Sequence, residues 1–199
     1  VFENAGQDCC ARSRILVQKS VLEKFMEALE PVVKDVKVGD PSLSGTEVGP
    51  LVSKQHRENV SSFLEGADVA FRGSAPTGKG FWFAPTVVLA KSPTDKCMAE
   101  EIFGPVVTVY PFETEQEAIE LANGTEYGLS GSIWTRDLGR GIRVSREVQS
   151  GNLSVNSHSS LRYHTPFGGM KQSGMGRELG PDAPLHFTEE KVVFFNQDN

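Results

Sequence analysis

Two adjacent cysteines, Cys9 and Cys10, stand in the segment Asn4-Ala-Gly-Gln-Asp-Cys-Cys-Ala-Arg-Ser-Arg14, between a Gly-Gln turn and two arginines. A cysteine attacks through its thiolate, so the groups that favour the negative charge decide whether it can react. Arg12 and Arg14 favour that charge, as would the amides of a helix start. Asp8 opposes it, because a neighbouring carboxylate disfavours a second negative charge. By itself a Cys-Cys pair reads as core filling. The rest of the chain has to choose between the two readings.

Other residue patterns narrow the chemistry. The third cysteine, Cys97, leaves an odd number in no disulfide spacing, which points to a reducing compartment and a cytoplasmic location. The four histidines form no HxxxH or Cys/His array, so no metal site is expected. A net charge of −6 argues against nucleic acid or an anionic membrane as partner. No run approaches the roughly 18 apolar residues that span a bilayer. With 38% hydrophobic and 23% charged residues, the 199-residue chain can bury a core of α/β size. It opens inside what reads as a buried segment, which predicts a portion of a longer protein.

The elements that must position these residues follow from periodicity. Ile15-Leu-Val17 reads as a strand. Ser20-Val-Leu-Glu23 reads as a capping box opening a helix over about 20–35, with Val21, Leu22, Phe25, Leu29, Val32 and Val33 on one face. Ser53 is a candidate cap for a second helix carrying Val60, Phe63 and Leu64 and ending by Gly66. Asp68 to Gly80 suggests a strand, a turn and a return, and Phe83 to Leu89 a further strand. Val106 to Tyr110 is a β-branched run suited to a buried strand. Thr114-Glu-Gln-Glu117 is a second capping box for a helix closed by Asn123-Gly124. Leu129 to Trp134 reads as a strand, Asp137 as the cap of a helix over Leu138 to about Glu147, and Leu153 to Val155 as another strand. A Gly-rich loop fills 156–179, and Val192 to Phe195 reads as a terminal strand. Helices alternating with apolar strands predict an α/β fold with an open, mostly parallel sheet and flanking helices.

Three motifs together carry a family resemblance. Asn4 with Gly6-Gln7-x-Cys9-x-Ala11, then Glu101-Ile-Phe-Gly-Pro105, then Asn156 with Pro166-Phe-Gly-Gly-Met-Lys-Gln-Ser-Gly174, resemble the NAD(P)-dependent aldehyde dehydrogenases along the whole chain. Gly49-Pro50 and Tyr127-Gly-Leu129 match similar pairs. The resemblance implies that Cys9 is the nucleophile and Cys10 its structural neighbour. It implies that Glu101 binds the nicotinamide ribose hydroxyls and that Phe103 packs near the nicotinamide. It also implies that His56 stands at a polar cofactor position and that Phe167 lines the substrate tunnel. A carboxylate suits two vicinal hydroxyls because it accepts from both.

The resemblance covers only the family's C-terminal half. It implies a catalytic domain over 1–185 and a strand-forming oligomerisation tail over 186–199. The nucleotide-binding domain, the general-base Glu and the oxyanion-hole Asn would lie upstream of this chain. The implied reaction oxidises an aldehyde with NAD or NADP through a Cys9 thioester, and this chain alone is expected not to turn over. Asp8 resembles the residue before the nucleophile in aminoaldehyde and betaine aldehyde dehydrogenases, where it could pair with a substrate ammonium. Leu161 stands where relatives carry a bulky aromatic, and Arg162 beside it would oppose a cation. A homo-oligomer through the tail is expected. Two rival readings are a non-catalytic structural piece of the fold and a cofactor-independent cysteine esterase or acyl transferase.

Overall fold

A computed structural model describes residues 1–158 and 161–197. Its main sheet has four strands: β1 (Arg14–Gln18), β2 (Val69–Arg72), β3 (Thr86–Leu89) and β4 (Val106–Phe112). They lie in the order β1-β4-β3-β2, with β4 parallel to both its neighbours and β2 antiparallel at the far edge. This is the expected open, mostly parallel sheet. Central β4 is buried from Val106 through Val109, which is why it reads as a continuous apolar run rather than an alternating one.

Side-chain alternation sends successive valines to opposite faces. Val88 and Val106 join a cluster with Ala5, Val48, Leu51, Val60, Cys97 and Ile102. Val87, Val107 and Val109 join Val17 and Val33 on the other side. Helix α1 (Leu22–Asp35) covers that second face with Leu22, Phe25, Met26, Leu29 and the fully buried Val33. Helix α2 (Lys54–Ser62) covers the first through Val60, beside Ala5 of the cysteine segment. The short α3 (Lys96–Ala99) closes the same face, where Cys97 Sγ donates to the Phe63 carbonyl.

The remaining elements build a second lobe. Helix α4 (Glu115–Asn123) packs on β1 and β4 and against α5 (Leu138–Glu147). Strand β5 (Tyr127–Gly128) pairs antiparallel with β8 (Met170–Lys171), and β6 (Ser130–Ile133) pairs parallel with β7 (Asn152–Val155). These two ribbons stand apart from the main sheet instead of extending it. Among the described residues, no helix is long and apolar enough to cross a membrane.

Three caps match the sequence. Ser53 accepts from the His56 amide, Thr114 from the Glu117 amide and Asp137 from the Arg140 amide. The Thr114 box closes one residue early: Glu117 Oε2 accepts from the Glu113 amide at 2.8 Å. Two expectations are corrected. Ser20 caps nothing, because a 3₁₀ turn over Lys19–Val21 leads into α1 and its own carbonyl bond satisfies the Leu22 amide. The terminal strand at Val192–Phe195 does not form: residues 188–197 carry no strand, and a strand needs a neighbour to complete its ladder. Phe194 and Phe195 are instead exposed, at 87% and 78%.

Candidate active site

The segment before the cysteines bends through three consecutive left-handed residues, Asn4 (φ 52°), Ala5 (φ 55°) and Gly6 (φ 71°). Gly6 takes this conformation freely and Asn tolerates it. For Ala5 it costs on the order of 1–2 kcal/mol. Burial of Ala5 in the first-face cluster and a local hydrogen-bond ring offset that cost. The Ala5 amide donates to the Phe2 carbonyl at 2.9 Å, and the Gln7 amide to the Asn4 carbonyl at 3.1 Å. The Asn4 side-chain amide donates to the Gln7 carbonyl at 2.8 Å. Strain held this firmly is a mark of functional loops.

Gly6 also meets the second motif. A Cβ there would lie 2.0 Å from the Gly104 carbonyl oxygen, so the cysteine segment and the Glu101–Pro105 loop touch backbone to backbone. Gly104 in turn admits Val60, whose methyl carbons would stand 2.7 Å from a Cβ at 104. From the other side the Gln7 side-chain carbonyl accepts the Val52 amide at 2.8 Å, joining the cysteine segment to the turn that starts α2.

Cys9 and Cys10 then sit in a turn in which Asp8 holds the backbone. Its Oδ1 accepts the Cys10 amide at 3.1 Å, and its carbonyl accepts the Ala11 amide at 2.9 Å. Cys9 is exposed and Cys10 half-buried. Burial, then the neighbouring Cys9 thiol, then Asp8, push the Cys10 thiol up to about 11, and Arg12 only weakly opposes them. Cys10 is therefore protonated at neutral pH. Asp8, Cys9 and Cys10 bring their ligand atoms within 4.8 Å of one another. One turn supplying three ligands is short of the four that a structural zinc takes.

The arginines behave differently from the reading of the sequence. Arg14 caps the end of α4, donating to the Leu121 and Ala122 carbonyls at 3.2 and 3.1 Å. Arg12 reaches the second lobe, donating to Ser130 Oγ at 3.0 Å and to the His158 carbonyl. No helix starts at the cysteines; the next element is β1. The arginines thus serve mainly to lock the two lobes around the cysteine turn, and their expected role beside the thiols shrinks to the weak effect of Arg12.

Two of the residues given a site role by motif come together. A groove of about 460 Å³ is lined by Asn4, Gln7, Val52, His56 and Phe103. His56 Nε2 lies 2.8 Å from the Phe103 carbonyl, and the two rings meet edge to face at 6.4 Å. Phe103 itself is left-handed at φ 55° and partly exposed. Glu101, two residues before it, is an exposed carboxylate. Leu161 and Phe167 lie on the second lobe's loop and do not line this groove. Leu161 is exposed, and Phe167 exchanges both backbone hydrogen bonds with Glu178 at 2.7 Å. Asn156 ties the ends of β6 and β7 together: its side chain accepts the Thr135 amide at 2.9 Å and donates to the Thr135 carbonyl at 2.8 Å.

Sequence reasoning did not single out Asn4, Gln7 or Val52 as groove residues. Gln7 stood inside the quoted motif and carried a signal. Val52 carried none beyond being an isolated apolar residue beside a capped helix, now 78% exposed.

Comparison with known proteins gives a consistent picture. A model of the aldehyde dehydrogenase family matches residues 1–193. An aldehyde dehydrogenase of Aspergillus niger is 41% identical over 200 residues, covering 98% of this chain and 40% of that protein. The chloroplastic betaine aldehyde dehydrogenase of Atriplex hortensis is 40% identical over 187 residues, covering 90% of this chain and 37% of its own length. Among solved structures, a point mutant of apo betaine aldehyde dehydrogenase from Staphylococcus aureus superposes with a TM-score of 0.91 at 40% identity, covering 98% of this chain and 41% of that one. The same bacterium's enzyme in complex with NAD⁺ gives 0.88 at 42%, covering 94% of this chain and 39% of that one. This chain spans about 40% of the length of the curated relatives it matches.

Proposed function

Because the chain belongs to the aldehyde dehydrogenase family, we propose that it is the cysteine-bearing catalytic part of a dehydrogenase that oxidises an aldehyde to a carboxylic acid, with Cys9 as nucleophile. The observation that carries this reading is the backbone contact of Gly6 with Gly104. It sets the exposed thiol's loop directly against the loop of Glu101 and Phe103.

The groove fits the nicotinamide end of a dinucleotide. Phe103 and Val52 offer apolar wall, Gln7 and His56 polar edges, and Glu101 beside it a carboxylate able to accept from two vicinal hydroxyls. When bound, NAD⁺ or NADP⁺ would supply the hydride acceptor. A relative of known structure binds NAD⁺. The chain's own residues then have separate tasks. The Cys9 thiolate adds to the aldehyde carbon, and the new oxyanion is met by the Cys9 backbone N–H. Loss of hydride leaves a thioester on Cys9, and water releases the acid and restores the thiol. Cys10, held protonated by its surroundings, stays out of the reaction.

The substrate we assign is an aldehyde bearing a cationic nitrogen. Asp8 supports this: its carboxylate is exposed one residue before Cys9 and is fixed by the Cys10 amide. Two of the relatives are named for betaine aldehyde, whose nitrogen is cationic. Leu161 and Phe167 belong to the far wall of the substrate tunnel in this reading, and the tail 186–199 to an oligomer contact.

The test is made in the full-length protein. Cys9→Ser should lower aldehyde-dependent NADH production by about 10³-fold or more, whereas Cys10→Ser should leave most of it. An active Cys9→Ser enzyme would reject Cys9 as nucleophile. For the substrate, kcat/KM should favour an aminoaldehyde over its uncharged analogue, and Asp8→Asn should erase the preference.

A further inference from the structure

The start of α2 reaches both loops of the site: the Val52 amide just before it bonds Gln7, and the His56 side chain on it bonds Phe103. Ser53 accepts the His56 amide at 3.1 Å, fixing the first turn of the helix. Val52, just before that cap, donates its amide to Gln7 of the cysteine segment. His56 projects from the same turn to the Phe103 carbonyl at 2.8 Å. A carbonyl oxygen only accepts, so Nε2 carries the hydrogen and donates it. The acceptor is not an ordinary carbonyl. It belongs to a bulky aromatic residue held at φ 55°, a conformation that side chains rarely adopt. The same imidazole meets the Phe103 ring edge to face, so one side chain restrains both the backbone and the ring of Phe103.

We propose that His56 is a positioning residue that acts through Phe103: its Nε2–H holds the Phe103 peptide in the left-handed conformation and so fixes the ring that walls the groove and the carboxylate two residues before it. This rests on the reading of Glu101 and Phe103 as the seat of the nicotinamide end of the cofactor. It assigns His56 a different task from direct contact with cofactor. Its Nε2 is already spent on the Phe103 carbonyl. Without that donor, Phe103 relaxes toward ordinary φ, and the groove's wall and Glu101 move with it.

Glutamine and glutamate at position 56 separate donor from bulk. The Gln amide can donate to the Phe103 carbonyl; the Glu carboxylate cannot and repels it. In the full-length protein, His56→Glu and His56→Ala should raise KM for NAD⁺ about 5- to 10-fold, the size expected for one lost hydrogen bond. His56→Gln should stay within about twofold of the parent. The Kd for NAD⁺, read by calorimetric titration without aldehyde, should rise by the same factor in His56→Glu and His56→Ala and return in His56→Gln, a rescue that loss of general packing would not give. Equal KM for NAD⁺ in His56→Glu and His56→Gln would overturn the proposal, and that pair still answers if His56→Ala does not fold. Glu101→Gln tests the underlying reading separately. If it leaves KM for NAD⁺ unchanged, the cofactor seat is elsewhere; if it raises KM while His56→Glu does not, only the role of His56 falls.

Discussion

The cysteine segment and the C-terminal tail are built on opposite principles. Residues 4–10 begin with a left-handed bend at Asn4, Ala5 and Gly6 and are held by tight contacts: Ala5 is buried, Gly6 abuts Gly104, and Gln7 is bonded to Val52. The tail after Thr188 carries the apolar run Val192 to Phe195, yet its described residues form no strand, and Val192, Phe194 and Phe195 are largely exposed. Strain can persist where the surroundings determine the conformation more than once over; apolar residues alone do not make structure without a surface to cover. The comparison shows that hydrophobicity is a poor guide to which part of this chain is held by contacts. The polar, strained segment is the fixed one.

That contrast is tested most severely at Gly6. Alanine there would place its Cβ 2.0 Å from the Gly104 oxygen at a φ of +71°. We expect a loss of about 4 kcal/mol or more, enough to abolish cooperative unfolding. Gly66 is the control: it is equally left-handed at +75°, but a Cβ there meets nothing within 4 Å. Gly66→Ala should cost only about 1 kcal/mol by urea denaturation. Equal losses would mean that conformation alone, and not the contact between the two loops, sets the requirement at Gly6.

A second experiment sharpens the difference within the rigid segment itself. In native protein, an alkylating agent should modify Cys9 at neutral pH. It should reach Cys10 only as pH rises toward about 11, where burial and its neighbours have moved that thiol from an ordinary 9.0. The sign for stability follows from the raised value. The folded state binds this proton more tightly, so the contribution is complete below pH 9.0 and is lost as pH climbs to about 11. Peptide mapping across that range in native and denatured protein reads both. Cys10 modified as readily as in denaturant at pH 8 would show that the turn does not shield it.

How much of this was legible in the sequence depends on range. The caps at Ser53, Thr114 and Asp137, and the strands around Val88, Val107 and Leu153, follow from local patterns, and each forms within three residues of its expected bounds. Ser20 failed because a 3₁₀ turn competes for the same amide. At the site, the motifs brought out Cys9, Glu101, Phe103 and His56. What they could not bring out is contact between distant segments: Gly6 against Gly104, Gln7 against Val52, and His56 bonded to the Phe103 carbonyl. Left-handed Ala5 and Phe103 contradict local propensity and exist only because tertiary packing overrides it. Arg14 was misjudged for a related reason. Its neighbours in sequence are cysteines, but its neighbours in space are the last carbonyls of α4.

A smaller effect is expected at the cap of α2. Ser53→Ala removes the acceptor for the His56 amide and should cost about 1 kcal/mol of stability. Because His56 and Val52 leave the same turn, its effect on KM for NAD⁺ should exceed that of Thr114→Ala, which removes an equivalent cap on α4 far from the groove. If the two caps prove alike in both stability and KM, the start of α2 is ordinary helix and the groove does not depend on it.

The smallest effect belongs to the tail. Phe194 and Phe195 are largely exposed, so replacing either with Ser removes little packing within one copy of the chain. At low protein concentration the unfolding midpoint should shift by less than the equivalent of about 0.5 kcal/mol. At higher concentration the outcome divides. If the tail is the oligomer contact proposed above, the Ser variants lower the mass seen by light scattering and lose the rise of stability with concentration that the parent shows, because association stabilises by mass action. A loss well above 0.5 kcal/mol at low concentration would instead mean that the tail packs on its own chain, and the contrast with the cysteine segment would fail.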